Sequence, residues 1–139
     1  MIFMNKRNSI QRQMILDAFG ALYHPTASDI YEHIREKYPS ISLATVYRNL
    51  GYMAESGAVE KISFPGEPDR FETVKTPHAH AICRKCGAVC DIGGISQELL
   101  RKLDESVEAA QGFTVTVRNL NFVGVCAACR KKADNPAFA

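Results

Sequence analysis

The sequence predicts an α+β protein made of an N-terminal winged helix-turn-helix domain and a small C-terminal α/β domain. Apolar residues first recur at helical spacing in three short segments, and the period then changes to the alternation typical of strands. Thr76-Pro77 marks a boundary, because proline holds the preceding residue extended. Beyond it the motifs change to two Cys-x-x-Cys pairs. We therefore expect domains at 1–75 and 78–133, a linker at 76–77 and a loose tail at 134–139.

Capping residues and apolar spacing predict the first two helices. Ser9 can cap a helix that Pro25 ends, and this helix has one apolar face. That face comprises Ile10, Met14, Ile15, Ala18, Phe19 and Leu22. Thr26 with Asp29 three residues on resembles a capping box, which indicates a second helix that Pro39 ends. The apolar residues of the second helix are Ile30, Tyr31, Ile34 and Tyr38.

A third helix and a hairpin complete the first domain. Ser42 can cap the helix, and Gly57 follows its end. Its inward-facing residues are Val46, Leu50, Met53 and Ala54. Alternating apolar residues on either side of a polar turn at 65–69 then predict two paired strands. Those residues are Val59, Ile62, Phe64, Phe71 and Val74.

Three helices followed by a hairpin are the order of a winged helix-turn-helix, whose third helix enters the major groove of double-stranded DNA. The candidate DNA contacts are the side chains away from the apolar stripe of that helix: Thr45, Tyr47, Arg48 and Asn49. Arg48 can reach guanine, and Tyr47 can pack on thymine methyl groups. An ordinary solvated helix face is the alternative, which the order of helices and hairpin disfavours.

The second domain is predicted to combine one helix with several short strands. Strand patterns cover 81–83, 89–92, 113–117 and 122–125, and a helix covers 95–110 with Gly112 at its end. The apolar face of this helix comprises Leu99, Leu100, Leu103 and Val107. A unit of about sixty residues rarely gains comfortable stability from its core alone. We expect a metal, a partner subunit or both to stabilise it.

Composition excludes several classes of protein. The 139 residues are 46% apolar and 23% charged, which is too apolar for a disordered chain. The longest apolar runs are too short to cross a bilayer. No apolar stretch of secretory length follows Lys6-Arg7, so we expect a cytoplasmic protein. The formal net charge of +2 neither indicates nor excludes a polyanionic partner.

Four of the five cysteines form two pairs, Cys83 with Cys86 and Cys126 with Cys129. Without an export signal, this pattern indicates zinc and not disulfides. Structural zinc is nearly always tetrahedral with nitrogen and sulfur ligands, so we expect one Zn²⁺ held by four thiolates. Reduced buried thiols and a redox pair of the thioredoxin type are the alternatives. We expect the fifth cysteine, Cys90, to be a small core residue.

Histidines and carboxylates near the predicted domain boundaries form a second candidate set. His78 and His80 lie on one side of an extended segment, and His24 lies in the turn between the first two helices. Glu72 and Asp91 are carboxylates at predicted strand ends. Spacing alone does not separate metal ligands from solvated side chains here.

These residues together resemble the ferric uptake regulator family of metal-dependent bacterial repressors, from Arg7 to about Lys132. The motifs that carry the resemblance are Gln11-Arg12, His24-Pro25-Thr26-Ala27-Ser28-Asp29-Ile30-Tyr31, Ala44-Thr45-Val46-Tyr47-Arg48-Asn49-Leu50, His78-Ala79-His80-Ala81-Ile82-Cys83, Cys86-Gly87 and Cys126-x-x-Cys129. The resemblance implies a C-terminal domain that forms a homodimer, structural zinc on the cysteines and binding to a palindromic operator. It also implies a regulatory Fe(II) or Mn(II) ion, with ligands at His24, Glu72, His78, His80 and Asp91.

Within the family, the sequence resembles the peroxide-sensing branch. That branch has Asp at the position of Asp91, where the iron-uptake branch tends to have Glu. Ala79 and Arg118 stand where the iron-uptake branch has ligands of a further metal site. Glu72 stands where peroxide sensors usually have Asp, and Arg48 is more like the iron-uptake helix, so an iron-responsive repressor stays an alternative. In peroxide sensing, the resemblance implies oxidation of the positions that match His24 and His78.

A zinc or thiol enzyme and a thiol redox switch are the alternatives from other classes. A catalytic zinc keeps an open coordination position, which four thiolates do not leave. The sequence offers no convincing pair of nucleophile and base. We therefore predict a transcriptional repressor that is not an enzyme.

Overall fold

The structure is a computed structural model that describes residues 6–73 and 78–133. The chain divides into two compact units, Met1–Thr76 and Pro77–Ala139. The expected linker at 76–77 and tail at 134–139 lie outside the described residues, as does Val74. Among the described helices, none has the length and apolar character that a membrane span requires.

Three helices build the N-terminal unit, and two of their predicted caps are confirmed. The Thr26 hydroxyl accepts a hydrogen bond from the Asp29 N–H, and the Asp29 carboxylate accepts one from the Thr26 N–H. The Ser42 hydroxyl accepts from the Thr45 N–H. These bonds satisfy donors that a helix leaves open in its first turn. The helices are α1 (Lys6–Phe19), α2 (Ala27–Arg35) and α3 (Leu43–Glu55).

Some helix boundaries differ from the expected ones. Ser9 lies inside α1 and does not cap it, because the helix already includes Lys6. Both α1 and α2 end before the prolines that were expected to end them. α1 ends directly before Gly20, a residue with low helix propensity.

A two-stranded antiparallel sheet packs with the helices around one hydrophobic core. Strand β1 (Val59–Ile62) pairs with β2 (Arg70–Thr73), and Glu60 lies opposite Glu72. The predicted hairpin is therefore confirmed within the described residues. Its strands close the core and place the carboxylate of Glu72 beside the turn after α1. The buried core residues are Ile15, Ala18, Ala27, Ile30, Ile34, Val46, Leu50, Met53, Val59 and Phe71.

The C-terminal unit contains a three-stranded sheet with the order β4-β3-β5. The antiparallel pair β3–β4 and the parallel pair β3–β5 share the central strand. The following helix is capped by Ser96 and ends at Gly112, whose φ of 69° is the left-handed conformation that favours glycine. The elements are β3 (Ala79–Cys83), β4 (Val89–Ile92), α4 (Gln97–Gln111), β5 (Asn121–Gly124) and α5 (Ala127–Ala133).

The prediction of a strand at 113–117 is wrong. This segment has no regular structure, and hydrogen bonds from it and from the following Arg118 reach side chains of α4. Arg118 donates two hydrogen bonds to Asp104, with nitrogen–oxygen distances of 2.6 and 2.8 Å, and the Val115 N–H donates to Glu108. Alternation alone does not make a strand, because a strand needs a neighbour with which to pair.

The apolar face predicted for α4 is present but exposed. No residue of this helix is buried, and Leu99 and Leu103 are 60% and 43% exposed. Phe113 and Val117 in the following segment are also exposed. A contiguous apolar surface of this kind is typical of an interface with another chain.

Candidate metal centres

The sheet of the C-terminal unit brings the two Cys-x-x-Cys pairs together. Cys83 ends β3 and Cys86 lies in the turn that follows. Cys83 lies opposite Gly124 in the parallel strand β5, which places Cys126 just beyond the same end of the sheet. Cys129 lies one turn further on, in α5. Parallel pairing thus overcomes the long sequence separation between the two pairs.

The positions of the four sulfur atoms fit a zinc ion. The four atoms lie within 4.8 Å of one another, and the Cys86 and Cys126 sulfurs are 3.8 Å apart. Tetrahedral zinc with bonds of about 2.3 Å needs sulfurs about 3.8 Å apart. A Zn²⁺ ion held by Cys83, Cys86, Cys126 and Cys129 therefore needs little rearrangement. Four thiolates would fill its coordination, which makes the site structural and not catalytic.

Backbone N–H groups favour the thiolate form of Cys83, which is the form that binds metal. The N–H groups of Cys126 and Cys86 donate to the Cys83 sulfur, and they lower the pKa of its thiol to about 6. The pKa of Cys129 is raised to about 12, because its thiol bonds to Cys126 in a partly buried cluster. The close approach of the sulfur atoms disfavours further thiolates in the cluster until a divalent cation compensates their negative charge.

Cys90 does not belong to this cluster. Its expected place in the core is wrong, because the residue is exposed on β4. It follows Val89, which is buried, and alternation along the strand directs the two side chains to opposite faces.

The N-terminal unit supplies an imidazole and a carboxylate that lie together. His24 lies in the turn between α1 and α2 and is 3% exposed. Its Nε2 atom is 3.1 Å from Oε2 of Glu72 on β2. The Phe71 N–H donates to the Pro25 carbonyl, which ties the turn to the strand beside Glu72.

The C-terminal unit supplies two imidazoles and a carboxylate. His80 on β3 pairs in register with Asp91 on β4, and His78 is two residues before His80. Oδ1 of Asp91 is 3.0 Å from Nε2 of His78 and 3.5 Å from Nε2 of His80. The two imidazole rings meet edge to face with centroids 4.5 Å apart. One oxygen and two nitrogens thus converge at the sheet surface.

The donor chemistry of both units fits a divalent transition metal. Imidazole nitrogens suit iron, nickel, copper and zinc, and carboxylate oxygens suit manganese and magnesium. A mixed set can hold Fe(II) or Mn(II), and it binds cobalt, nickel or zinc more tightly, so the choice of metal depends partly on cellular supply. Each unit carries part of such a set, and the Cys₄ cluster is chemically distinct from both.

The third helix presents some of the predicted DNA contacts. Tyr47 is 54% exposed, and Arg48 is also exposed. Thr45 is half-buried, and its hydroxyl lies 2.8 Å from that of Ser42. The expectation that Asn49 faces away from the core is wrong, because this residue is 2% exposed. Its amide donates to Gln11 on α1 and to the Thr45 carbonyl.

One residue beside the site was missed at the level of sequence. Arg70 begins β2, and its guanidinium donates to the carbonyl of His24. Alternation along a strand places residues 70 and 72 on one side, so the signal was their spacing. Nothing in the sequence indicated that the turn of His24 lies against that side.

Comparisons of the sequence with a family model and with known proteins indicate the same family. The family model described as the ferric uptake regulator family matches residues 4–123. The peroxide operon regulator of Bacillus subtilis (strain 168) is 36% identical over 126 residues, which cover 90% of this chain and 85% of that protein. A peroxide-responsive repressor of Staphylococcus epidermidis is 33% identical, covering 93% and 81%.

Solved structures agree with this fold. The Campylobacter jejuni peroxide stress regulator has a TM-score of 0.71 at 31% identity, covering 88% of this chain and 91% of that one. The Helicobacter pylori ferric uptake regulator has a TM-score of 0.76 at 23% identity, covering 88% and 84%, and supports the fold alone. Its reported structure has three functional metal-binding sites. The chain described here, with its winged helix, Cys₄ cluster and histidine–carboxylate sets, belongs to the ferric uptake regulator family of metal-dependent repressors.

Proposed function

We propose that this protein is a cytoplasmic, peroxide-responsive repressor that binds a palindromic operator as a homodimer while Fe(II) or Mn(II) fills its regulatory site. The proposal rests on the observation that each of the two units contains imidazole and carboxylate groups that can bind the same kind of metal ion. The unit with the DNA-facing helix holds His24 and Glu72 as a pair. The unit with the zinc cluster holds His78, His80 and Asp91. The names of the relatives from Bacillus and Staphylococcus support peroxide as the signal.

A single ion that takes ligands from both units would couple metal binding to DNA binding. It would fix the angle between the units and, in a twofold dimer, the spacing of the two α3 helices against two half-sites. The ion shifts the equilibrium only through its preference for the DNA-competent state. Each tenfold preference contributes about 1.4 kcal/mol.

Oxidation of the ligands would reverse this coupling. Bound Fe(II) would supply the redox chemistry with peroxide. In our proposal His24 and His78 are the oxidised residues, each taking up one oxygen atom while the other oxygen of the peroxide leaves as water. Loss of an imidazole donor weakens the site, so metal and DNA dissociate.

The proposed DNA contacts are on α3. Tyr47 and Arg48 have the exposure that base contact requires. Thr45 suits a phosphate contact near the start of the helix, where backbone N–H groups favour anions. Asn49 supports the helix from inside and makes no proposed base contact.

The experiment that tests this proposal measures operator binding. A palindromic operator is first selected from random DNA with Mn(II) present, and affinity is then measured with Fe(II) or Mn(II), each with and without peroxide, at fixed salt. We expect peroxide to abolish binding only in the Fe(II) form and to add one oxygen to a His24 or His78 peptide by mass spectrometry. Loss of binding in both forms contradicts peroxide sensing through iron.

A ligand variant tests whether metal couples to DNA affinity. His24→Ala should keep the zinc and the dimer but lose most of the metal-induced gain in operator affinity. His33→Ala is the matched control, because His33 is exposed on α2. The coupling model fails if His24→Ala keeps the full gain.

An iron-responsive repressor is the second candidate, and Glu72 and Arg48 favour it. It predicts that operator binding follows the concentration of Fe(II) and that peroxide oxidises the iron without adding oxygen to His24 or His78. Mass spectrometry of the peroxide-treated Fe(II) form therefore separates the two candidates. The enzyme alternative gains no support from the Cys₄ cluster, since four thiolates leave no open position on zinc.

A further inference from the structure

The backbone of His24 is in an unusual conformation. Its φ of 45° is in the left-handed region, and among the described residues other than glycine it alone has a positive φ. A residue with a Cβ atom pays a free-energy cost there, and such residues persist only where neighbouring groups hold them. The side chain is also buried, so the direction of the imidazole depends on this backbone conformation.

Strand β2 holds this turn through several contacts. A guanidinium nitrogen of Arg70 donates to the His24 carbonyl at 3.0 Å, and the Phe71 N–H donates to the Pro25 carbonyl at 2.9 Å. Thr26 also forms an isolated antiparallel bridge with Arg70. Two residues further along the strand, Glu72 contacts the imidazole itself. Arg70 and Glu72 thus hold the backbone and the side chain of the same histidine.

We infer that Arg70 is a positioning residue for the regulatory metal, because its bond to the His24 carbonyl holds that ligand in its strained conformation before metal arrives. This inference rests on the proposed function. A ligand that is already ordered pays less conformational entropy on binding, so the affinity for metal is higher. Arg70 itself has no lone pair to offer a cation.

Charge and positioning predict opposite effects of removing Arg70. A guanidinium close to a cation site repels the cation, so an effect of charge alone makes Arg70→Met bind metal more tightly. Positioning makes the same variant bind metal more weakly. Lys61→Met is the matched control, because Lys61 lies on β1 opposite Phe71 and its removal takes one positive charge from the same hairpin.

The test uses the full-length, zinc-loaded protein and Mn(II) as the probe. Free Mn(II) is quantified by electron paramagnetic resonance during titration of the wild type, Arg70→Met, Arg70→Lys and Lys61→Met. We expect Arg70→Met to raise the Kd for Mn(II) about tenfold, in keeping with the cost of one strained residue. Arg70→Lys should be intermediate and Lys61→Met unchanged or slightly tighter. Operator affinity at saturating Mn(II) should equal that of the wild type.

A metal-free measurement tests the contact itself. Hydrogen exchange of the Phe71 amide, which is bonded to the Pro25 carbonyl, should be faster in Arg70→Met and unchanged in Lys61→Met. The inference is overturned if Arg70→Met binds Mn(II) as tightly as the wild type or more tightly, whatever its exchange rate. If Arg70→Met does not fold, Arg70→Lys decides by the same criteria. If Mn(II) leaves even the wild-type operator affinity unchanged, the proposed function fails, while the Mn(II) and exchange data still decide the role of Arg70.

Discussion

Nδ2 of Asn49 lies 3.3 Å from Oε1 of Gln11 and joins the third helix to the first. The same nitrogen donates to the Thr45 carbonyl one turn earlier in α3 at 2.9 Å. A buried amide that has lost its partners costs more than the bond it made was worth. This link therefore fixes how α3 lies on α1, and with it the direction of the exposed side chains of α3.

Asn49→Ala should lower the free energy of unfolding by about 1–3 kcal/mol, since it removes a buried polar side chain and its hydrogen bonds. Urea denaturation of the zinc-loaded protein measures this. Gln11→Glu should have a smaller effect than Gln11→Met, because a carboxylate still accepts the bond from Asn49. Equal effects of the two Gln11 variants would contradict the importance of this bond.

Arg48→Ala should act on recognition and leave stability nearly unchanged, within about 0.5 kcal/mol, because the side chain is exposed. A lost bidentate base contact reduces discrimination at one position of each half-site by about 1–3 kcal/mol. Competition between operators that differ at single positions measures this loss. An equal loss of affinity for every sequence would make Arg48 a phosphate contact instead.

Cys126→Ser should release zinc and unfold or monomerise the C-terminal unit, because the binding free energy at a structural zinc is largely folding free energy. Zinc content and sedimentation velocity measure the two effects. Cys90→Ser is the control, since Cys90 lies outside the cluster and should keep both zinc and dimer. A folded, zinc-loaded Cys126→Ser dimer would exclude the four-thiolate site.

Proton release on zinc binding should depend on pH. The lowered pKa of Cys83, about 6, means that its anionic form stabilises the metal-free cluster fully above pH 9 and that this contribution is lost as the pH falls towards 6. At pH 7.5 Cys83 is already a thiolate and has no proton to release, whereas at pH 5.5 it must release one. Calorimetry in buffers of different ionisation enthalpy should detect up to about one additional proton per chain at pH 5.5. Equal release at both pH values, from a metal-free protein that circular dichroism shows to be folded, would contradict the lowered pKa.

Leu103→Glu should prevent dimer formation, because we expect the exposed apolar face of α4 to contact the partner chain. Equilibrium sedimentation measures the dissociation constant. Arg101→Glu introduces the same side chain on the opposite side of the helix and should leave the dimer intact. A dimer that tolerates Leu103→Glu would place the interface elsewhere.

Local signals predicted the parts of this fold that depend on neighbours in sequence. Thr26 and Ser42 cap helices because a side-chain oxygen reaches an N–H group three residues on, and Gly112 ends α4 for an equally local reason. The prediction of a strand at 113–117 was wrong, because strand pairing depends on a partner that is distant in sequence. Asn49 was assigned to the wrong face for a similar reason, since its burial depends on where α1 packs.

The metal ligands show the same division. Spacing found the four cysteines, because two residues per pair are close in sequence and chemically alike. His24 and Glu72 are far apart in sequence, and the family resemblance was needed to consider them together. The role of Arg70 could not be predicted, because it depends on one side chain reaching a carbonyl across the unit.

The bond between Arg118 and Asp104 lets this protein order a segment without recruiting an ion. The guanidinium and carboxylate side chains are only 30% and 24% exposed, and both remain charged because each shifts the pKa of the other away from neutrality. By resemblance, the iron-uptake branch has a metal-binding histidine at the position of Arg118. The Arg118 guanidinium is a covalently attached cation, so a chelator cannot remove it and it is not exchanged when the cellular metal supply changes. The segment beside α4 is therefore held in place whatever the supply of metal. Compared with the iron-uptake branch, the response to metal then involves one fewer exchangeable metal site.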